Sequence, residues 1–274
     1  MTRKQPTRKA KLTVRNADRH DLYQRSVQSA ETDVRFLSRR FKQVVGRPLR
    51  TFREDFCGTA LLCSEFVKLH RENRAVGVDL HGPTLDWGRK RNLAALTEDQ
   101  RRRITLLQAN VLDVRRPRVD VLVAMNFSYW VFKTRRDLLG YLRNARRSVV
   151  EDGMLLVDLF GGSESQVEQE ERTSHGAFTY VWDQSKFDPV THDYLCKIHF
   201  EFRDGSRLRN AFVYDWRLWT LPEVQELMEE AGFRDVHVLW ELTDRKTNRG
   251  NGVFRKVVRG DADEGWIAYV VGRR

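Results

Sequence analysis

The chain has 274 residues, 41% of them hydrophobic, with 49 Lys and Arg against 38 Asp and Glu for a net charge of +11. That length buries a core without staples, and the composition is globular, so a disordered or fibrous protein is excluded. Cys57, Cys63 and Cys196 form no CxxC pair, the histidines show no HExxH spacing and no apolar run is long enough to span a bilayer, which argues against a disulfide framework, a metal centre or a membrane protein.

Residues 1–15 carry six basic residues and no acid, and read as a disordered basic tail without the apolar stretch of a signal peptide. Asp18 to Val45 is expected to form a leader helix, with Val34, Leu37, Phe41 and Val44 at three- and four-residue steps. Its Tyr23, Gln24 and Gln28 are placed towards a ligand crevice. Thr51 to Asp55 reads as a first strand, followed by a tight turn around Gly58 and a helix starting near Thr59. Ala75 to Leu80 is a second strand that ends in a carboxylate, and Pro83 opens the next helix. Ile104 to Gln108 and the apolar run Val119 to Met125 are the third and fourth strands, the latter buried on both faces. A helix from Leu138 to Val150 leads to a fifth strand, Met154 to Phe160.

The alternation then breaks. Ala177–Trp182, Tyr194–Phe202 and Leu208–Trp219 read as antiparallel strands, with Asp204-Gly205 as a hairpin turn. Thr220-Leu221-Pro222-Glu223 is a capping box with proline inside the first turn of a helix that Gly232 ends. Val236–Trp240 and Trp266–Val271 form a last antiparallel pair, joined by a long loop over 243–263. The expected fold is α/β: a doubly wound, Rossmann-like sheet of seven strands with a small antiparallel β lid. The divisions are the tail (1–15), a cofactor-binding core (16–160), the lid that helps bind substrate (161–219) and the C-terminal part of the core sheet (220–274).

A bent first βα turn with an acid at the tip of the second strand is how such sheets hold a ribose. No G-x-G-x-x-G run follows the first strand, which disfavours NAD or FAD. Glu54-Asp55-Phe56-Cys57-Gly58-Thr59-Ala60 resembles motif I of the class I S-adenosylmethionine-dependent methyltransferases, usually acid-x-Gly-x-Gly-x-Gly. The resemblance continues through Gly77-Val78-Asp79-Leu80, Ala109-Asn110-Val111-Leu112-Asp113, Asp120 to Asn126, and Val150 to Val157, in the family's order over roughly residues 50–160. Phe56 and Ala60 depart from two motif glycines, and Asn110 from the usual aspartate.

The resemblance implies S-adenosyl-L-methionine as cofactor. It also implies Asp79 on the ribose hydroxyls, Cys57, Gly58, Thr59 and Ala60 as backbone contacts, Leu80 and Val111 about the adenine, and Asn110 on its edge. Tyr23 and Asn126 complete the cofactor set. One of Glu54 and Asp55 is expected to face the methionine amino group or to hold the turn, and the spacing does not choose between them. Ser128, Tyr129 and Trp130 follow the fourth strand and, with Tyr214 of the lid, are the substrate-facing candidates, although core packing is the favoured reading of Trp130. No general base stands out. The expected activity is methyl transfer to nitrogen or oxygen of a small molecule, in a cytoplasmic enzyme. The alternative is methylation of RNA or another macromolecule by way of the basic surface. It is not favoured, because the arginine clusters lack the interleaved aromatic residues of a single-strand platform.

Overall fold

The computed structural model describes residues 11–244 and 249–274. The leader is two helices rather than one, α1 (Arg19–Val27) and α2 (Ala30–Val45). Asp18 caps α1 by accepting from the His20 and Asp21 N–H groups, and the extended Gln28 ends it. The alternating part follows: β1 (Thr51–Asp55), α3 (Leu61–Lys68), β2 (Arg74–Asp79), α4 (Gly82–Arg91), α5 (Glu98–Arg102), β3 (Ile104–Gln108), β4 (Val119–Ala124), α6 (Arg135–Ser148) and β5 (Val149–Gly161). Four strands, β6 (Gln169–Ser174), β7 (Phe178–Phe187), β8 (Asp193–Phe202) and β9 (Arg207–Arg217), come next. The chain then returns through α7 (Leu221–Glu230), β10 (Arg234–Asp244), β11 (Arg249–Val257) and β12 (Trp266–Arg273).

The main sheet has the order β11-β10-β12-β5-β4-β1-β2-β3. Strands β1 to β5 pair in parallel, and β12 runs antiparallel to both β5 and β10. The strand order reverses between β1 and β4, and ligands of doubly wound sheets bind at the strand ends beside that point. Val34, Leu37 and Phe41 of α2 pack with α3 on one face of the sheet. Leu138, Leu142 and Ala145 of α6 pack with Val224 and Leu227 of α7 on the other.

The sheet has eight strands where seven were expected. The extra one, β11, lies in the stretch read as loop, because a Gly- and charge-rich edge strand shows no apolar alternation. The separate sheet β6-β7-β8-β9 gains β6 in the same way, since five of its six residues are exposed. One end of this sheet's inner face is closed by Leu22 of α1 against Phe178, Ile198 and Phe200. Of the expected tail, residues 1–10 lie outside the described residues. The part 11–15 is ordered by this sheet: Val14 N–H donates to Ser206 Oγ, and Leu12 packs beside Phe202.

Candidate active site

The turn after β1 is built on left-handed backbone. Gly58 has φ +51°, and Phe56 and Ala60 hold φ 58° and 55° without being glycine. Such residues carry strain of roughly 1–2 kcal/mol each, which surrounding contacts must offset. Phe56 does so by packing on Phe132 and Tyr141, and Ala60 by complete burial. The turn is tied to the tip of β2 by Asp79, whose carboxylate accepts from Gly58 N–H and His81 N–H, each at 2.8 Å. Cys57 N–H donates to the Val78 carbonyl, and Ala60 N–H to the Cys57 carbonyl. Helix α4 comes so close that a Cβ on Gly88 would stand 2.3 Å from the Thr59 carbonyl oxygen. The Thr59 hydroxyl accepts from Gln24 of α1 at 2.6 Å, which holds the leader over the crevice.

The two acids of the motif have separate fates. Asp55 is fully buried, pairs with Arg53 at 2.6 Å and accepts from the Tyr141 hydroxyl at 3.2 Å. Burial outweighs the arginine and raises its carboxyl to about 6. Asp55 therefore supports the turn from behind. Glu54 faces a small hollow that Gln28, Asp33, Met125 and Asn126 also line. Burial, with the charges of Asp79 and Asp33, drives Glu54 well above the usual carboxylate range, although the Cys63 thiol donates to it at 3.5 Å. Burial likewise lifts Asp33 to about 6. Gln28 Oε1 is buried there without a hydrogen-bond partner. Three acceptor groups thus converge, and no Lys or Arg lines the hollow among the described residues. That set of acceptors suits an ammonium group.

On the far side of Asn126 a cavity of about 760 Å³ opens between the end of β5, the start of β12, α1 and the inner face of the smaller sheet. Asn126 lines both spaces. Asn126 and Phe127 sit at φ 57° and 58°, held there by Asp158 of β5, which accepts from their N–H groups at 2.7 and 2.9 Å. Burial raises Asp158 to about 7 against the opposing effect of those two bonds. The cavity wall is aromatic: Tyr214 stacks on Trp216 at 4.3 Å, and Tyr23, Tyr180 and Trp182 complete it.

No protein-family model matches the chain, and no curated protein is detectably similar in sequence. Solved structures are similar. A S-adenosylmethionine-dependent methyltransferase from Clostridium acetobutylicum superimposes with TM-score 0.66 at 15% identity, over 92% of this chain and 96% of its own. The fold is that of the S-adenosylmethionine-dependent methyltransferases. DesVI of Streptomyces venezuelae matches with TM-score 0.65 at 16% identity, over 93% of this chain and 98% of its own. The sugar N-methyltransferase KedS8 from Streptoalloteichus sp. matches with 0.62 at 15%, over 100% and 98%.

Against that methyltransferase fold, the expected site residues divide. Glu54, Gly58, Thr59, Ala60, Asp79 and Asn126 gather around the switch-point crevice. Leu80 is 65% exposed at the tip of β2, where an apolar surface can stack on a base. Asn110 turns its side chain back to cap the Leu112 N–H, at the neighbouring strand end. Tyr23 lines the larger cavity beside Tyr214, away from the Glu54 hollow. Other expectations need correction. Asp55 and Val111 are core residues; the Cys57 side chain is buried against Gly77 of β2, which leaves its expected backbone contact unaltered. Tyr129 and Trp130 are fully buried beneath the loop and do not line the cavity; Trp130 packs behind the wall, against Phe127, Phe160 and Trp216. Ser128 staples the same loop by donating to the Met125 carbonyl at 2.7 Å. Asp33 and Asp158 were missed. Asp158 stands in an otherwise apolar part of the fifth strand, which was an available signal; Asp33 is one of two acids in the first turn of α2, where nothing in the sequence sets it apart.

Proposed function

We propose that the protein is an S-adenosylmethionine-dependent methyltransferase acting on nitrogen or oxygen of a small molecule. The observation that carries this reading is the position of Asn126, the one residue shared by the acidic hollow and the aromatic cavity. A cofactor and an acceptor seated in the two spaces meet at that residue. Glu54, Asp33 and Gln28 would take the methionine ammonium, Asp79 the ribose hydroxyls, and Leu80 and Asn110 the adenine. The convergence of acceptors with no cation among the described residues, and a Gln28 Oε1 that has no partner among them, fit that group.

When bound, the cofactor supplies a methyl group already activated on a sulfonium, so the protein's task is alignment and exclusion of water. The strained Asn126–Phe127 loop fixes the junction, and the aromatic wall keeps it dry. Burial pushes the Tyr23 and Tyr214 phenols well above their usual range, which makes them hydrogen-bond donors to an acceptor rather than bases. A neutral amine suits such a site, since its lone pair attacks the methyl group directly and the resulting ammonium then gives a proton to water, whereas an alcohol needs a base to make it nucleophilic. Against a nucleic-acid substrate stands the acidic lining of the cavity, which repels phosphates. Incubating the protein with labelled cofactor and separate fractions of small metabolites and RNA tests the reading. Label in the metabolite fraction is expected, and label confined to RNA overturns it.

A further inference from the structure

The chain carries a net charge of +11, yet the cavity beneath the smaller sheet is acidic. Glu164, Glu171, Glu241, Asp263 and Glu264 line it, and among the described residues no Lys, Arg or His does. The alternation along β6 makes the contrast sharp. Glu170 lies on the outer face of the smaller sheet, where Arg172 and Arg207 neutralise it, the latter at 2.8 Å. Glu201 on the same face lies 3.6 Å from both arginines. Glu171 is one residue further along and therefore on the inner face, opposite Trp182 in register. It has no ion pair. Glu164 and Glu171 face the cavity together, with no counter-ion in its lining among the described residues; partial burial and the Glu164 charge raise the Glu171 carboxyl. Tyr180 lies on the same face of β7 as Trp182, two residues away, and both line the cavity with Tyr23. Aromatic faces beside carboxylates are the surroundings that a desolvated organic cation prefers.

We propose that the substrate is a small organic cation whose positively charged nitrogen is held by Glu164 and Glu171 against the aromatic wall, as an anchor distinct from the atom that is methylated. The distinction follows from chemistry: a nitrogen kept as ammonium by two carboxylates has no lone pair to offer. The accepting atom is a second, neutral nitrogen or oxygen of the same molecule, at the Asn126 end. The inference rests on the methyltransferase reading for the cofactor side.

The test is calorimetry on the full-length protein saturated with S-adenosylhomocysteine. Phenethylamine and glucosamine serve as cations, 2-phenylethanol and glucose as their neutral isosteres, and 3-phenylpropanoate as the anion. At least one cation is expected to bind about tenfold more tightly than its isostere, with no binding of the anion. The variant Glu164→Gln/Glu171→Gln is expected to lose that preference while keeping its affinity for S-adenosylhomocysteine, and Glu170→Gln on the outer face to retain both. The proposal is overturned if S-adenosylhomocysteine binds but no cation does, if cation and isostere bind alike, or if the double variant keeps the preference. Absence of S-adenosylhomocysteine binding is a different result, which removes the methyltransferase reading itself.

Discussion

Replacing Asp79 tests the cofactor crevice most directly, because its carboxylate has two duties. It faces the place assigned to the ribose, and it accepts at 2.8 Å from both Gly58 N–H and His81 N–H. Charge-assisted bonds of this kind contribute about 1.5–3 kcal/mol when buried. Asp79 is only half-buried, so about 1 kcal/mol each is the appropriate figure after solvent screening. Asp79→Ala should therefore lose about 2 kcal/mol of stability, a fall in Tm of roughly 4–8 °C for a chain of this size. Affinity for S-adenosylhomocysteine should fall further, by about 1–3 kcal/mol or roughly 5- to 150-fold, since the hydroxyls lose their acceptor and the turn its tether. Asp79→Asn retains one acceptor oxygen and should lie between wild type and Asp79→Ala on both scales. Thermal unfolding and calorimetric titration measure the two effects separately. A variant Asp79→Ala with wild-type Tm and wild-type affinity would refute both the tether and the ribose assignment.

Cofactor binding should release protons, because Asp33 titrates near 6 and Glu54 lies well above its usual range in the free protein, and an ammonium favours their ionised forms. Affinity should thus rise with pH through about 6, and the calorimetric enthalpy should vary with the ionisation heat of the buffer; Glu54→Gln should reduce that variation, and an enthalpy independent of buffer would count against the assignment. Asp158 binds its proton more tightly folded than unfolded, at about 7 against 3.8, so its contribution to stability falls as pH rises between those values. The stability lost in Asp158→Asn should therefore shrink from pH 5 to pH 8 in urea unfolding, and a gap that widens would show the sign to be wrong. Trp130→Ala should cost about 3–5 kcal/mol of stability as a core truncation, whereas an equally stable variant with altered KM would return Trp130 to the substrate face.

The main sheet was legible because β2, β4 and the 154–160 part of β5 are apolar runs bounded by turn residues, β1 is marked by the turn motif that follows it, and capping boxes such as Thr220 to Glu223 mark helix starts. The edge strands β6 and β11 were not, since they bury too little to leave a period-two signal. Within the site, Gly58 and Asp79 could be placed from order and spacing alone, as residues whose role depends on the backbone bend and the strand tip. Which of Glu54 and Asp55 faces a ligand depended on side-chain direction: neighbours on a strand point to opposite faces, and only the packed Arg53 and Tyr141 show that Asp55 points into the core.

The amino-acid sequence by itself determined the doubly wound order, the bent turn and the acid at the second strand tip, because these rest on local periodicity and on a few residues with special backbone needs. Tertiary structure alone decided what fills the crevice walls. Asp33 arrives from α2, Asp158 from β5 and Glu171 from the smaller sheet, and no local rule links their positions. Tyr129 and Trp130 were candidates for the substrate face, but both are fully buried. An acidic cavity in a chain of net charge +11 is likewise invisible to composition, because charge sums over the whole surface while binding depends on the few side chains that the fold turns inward.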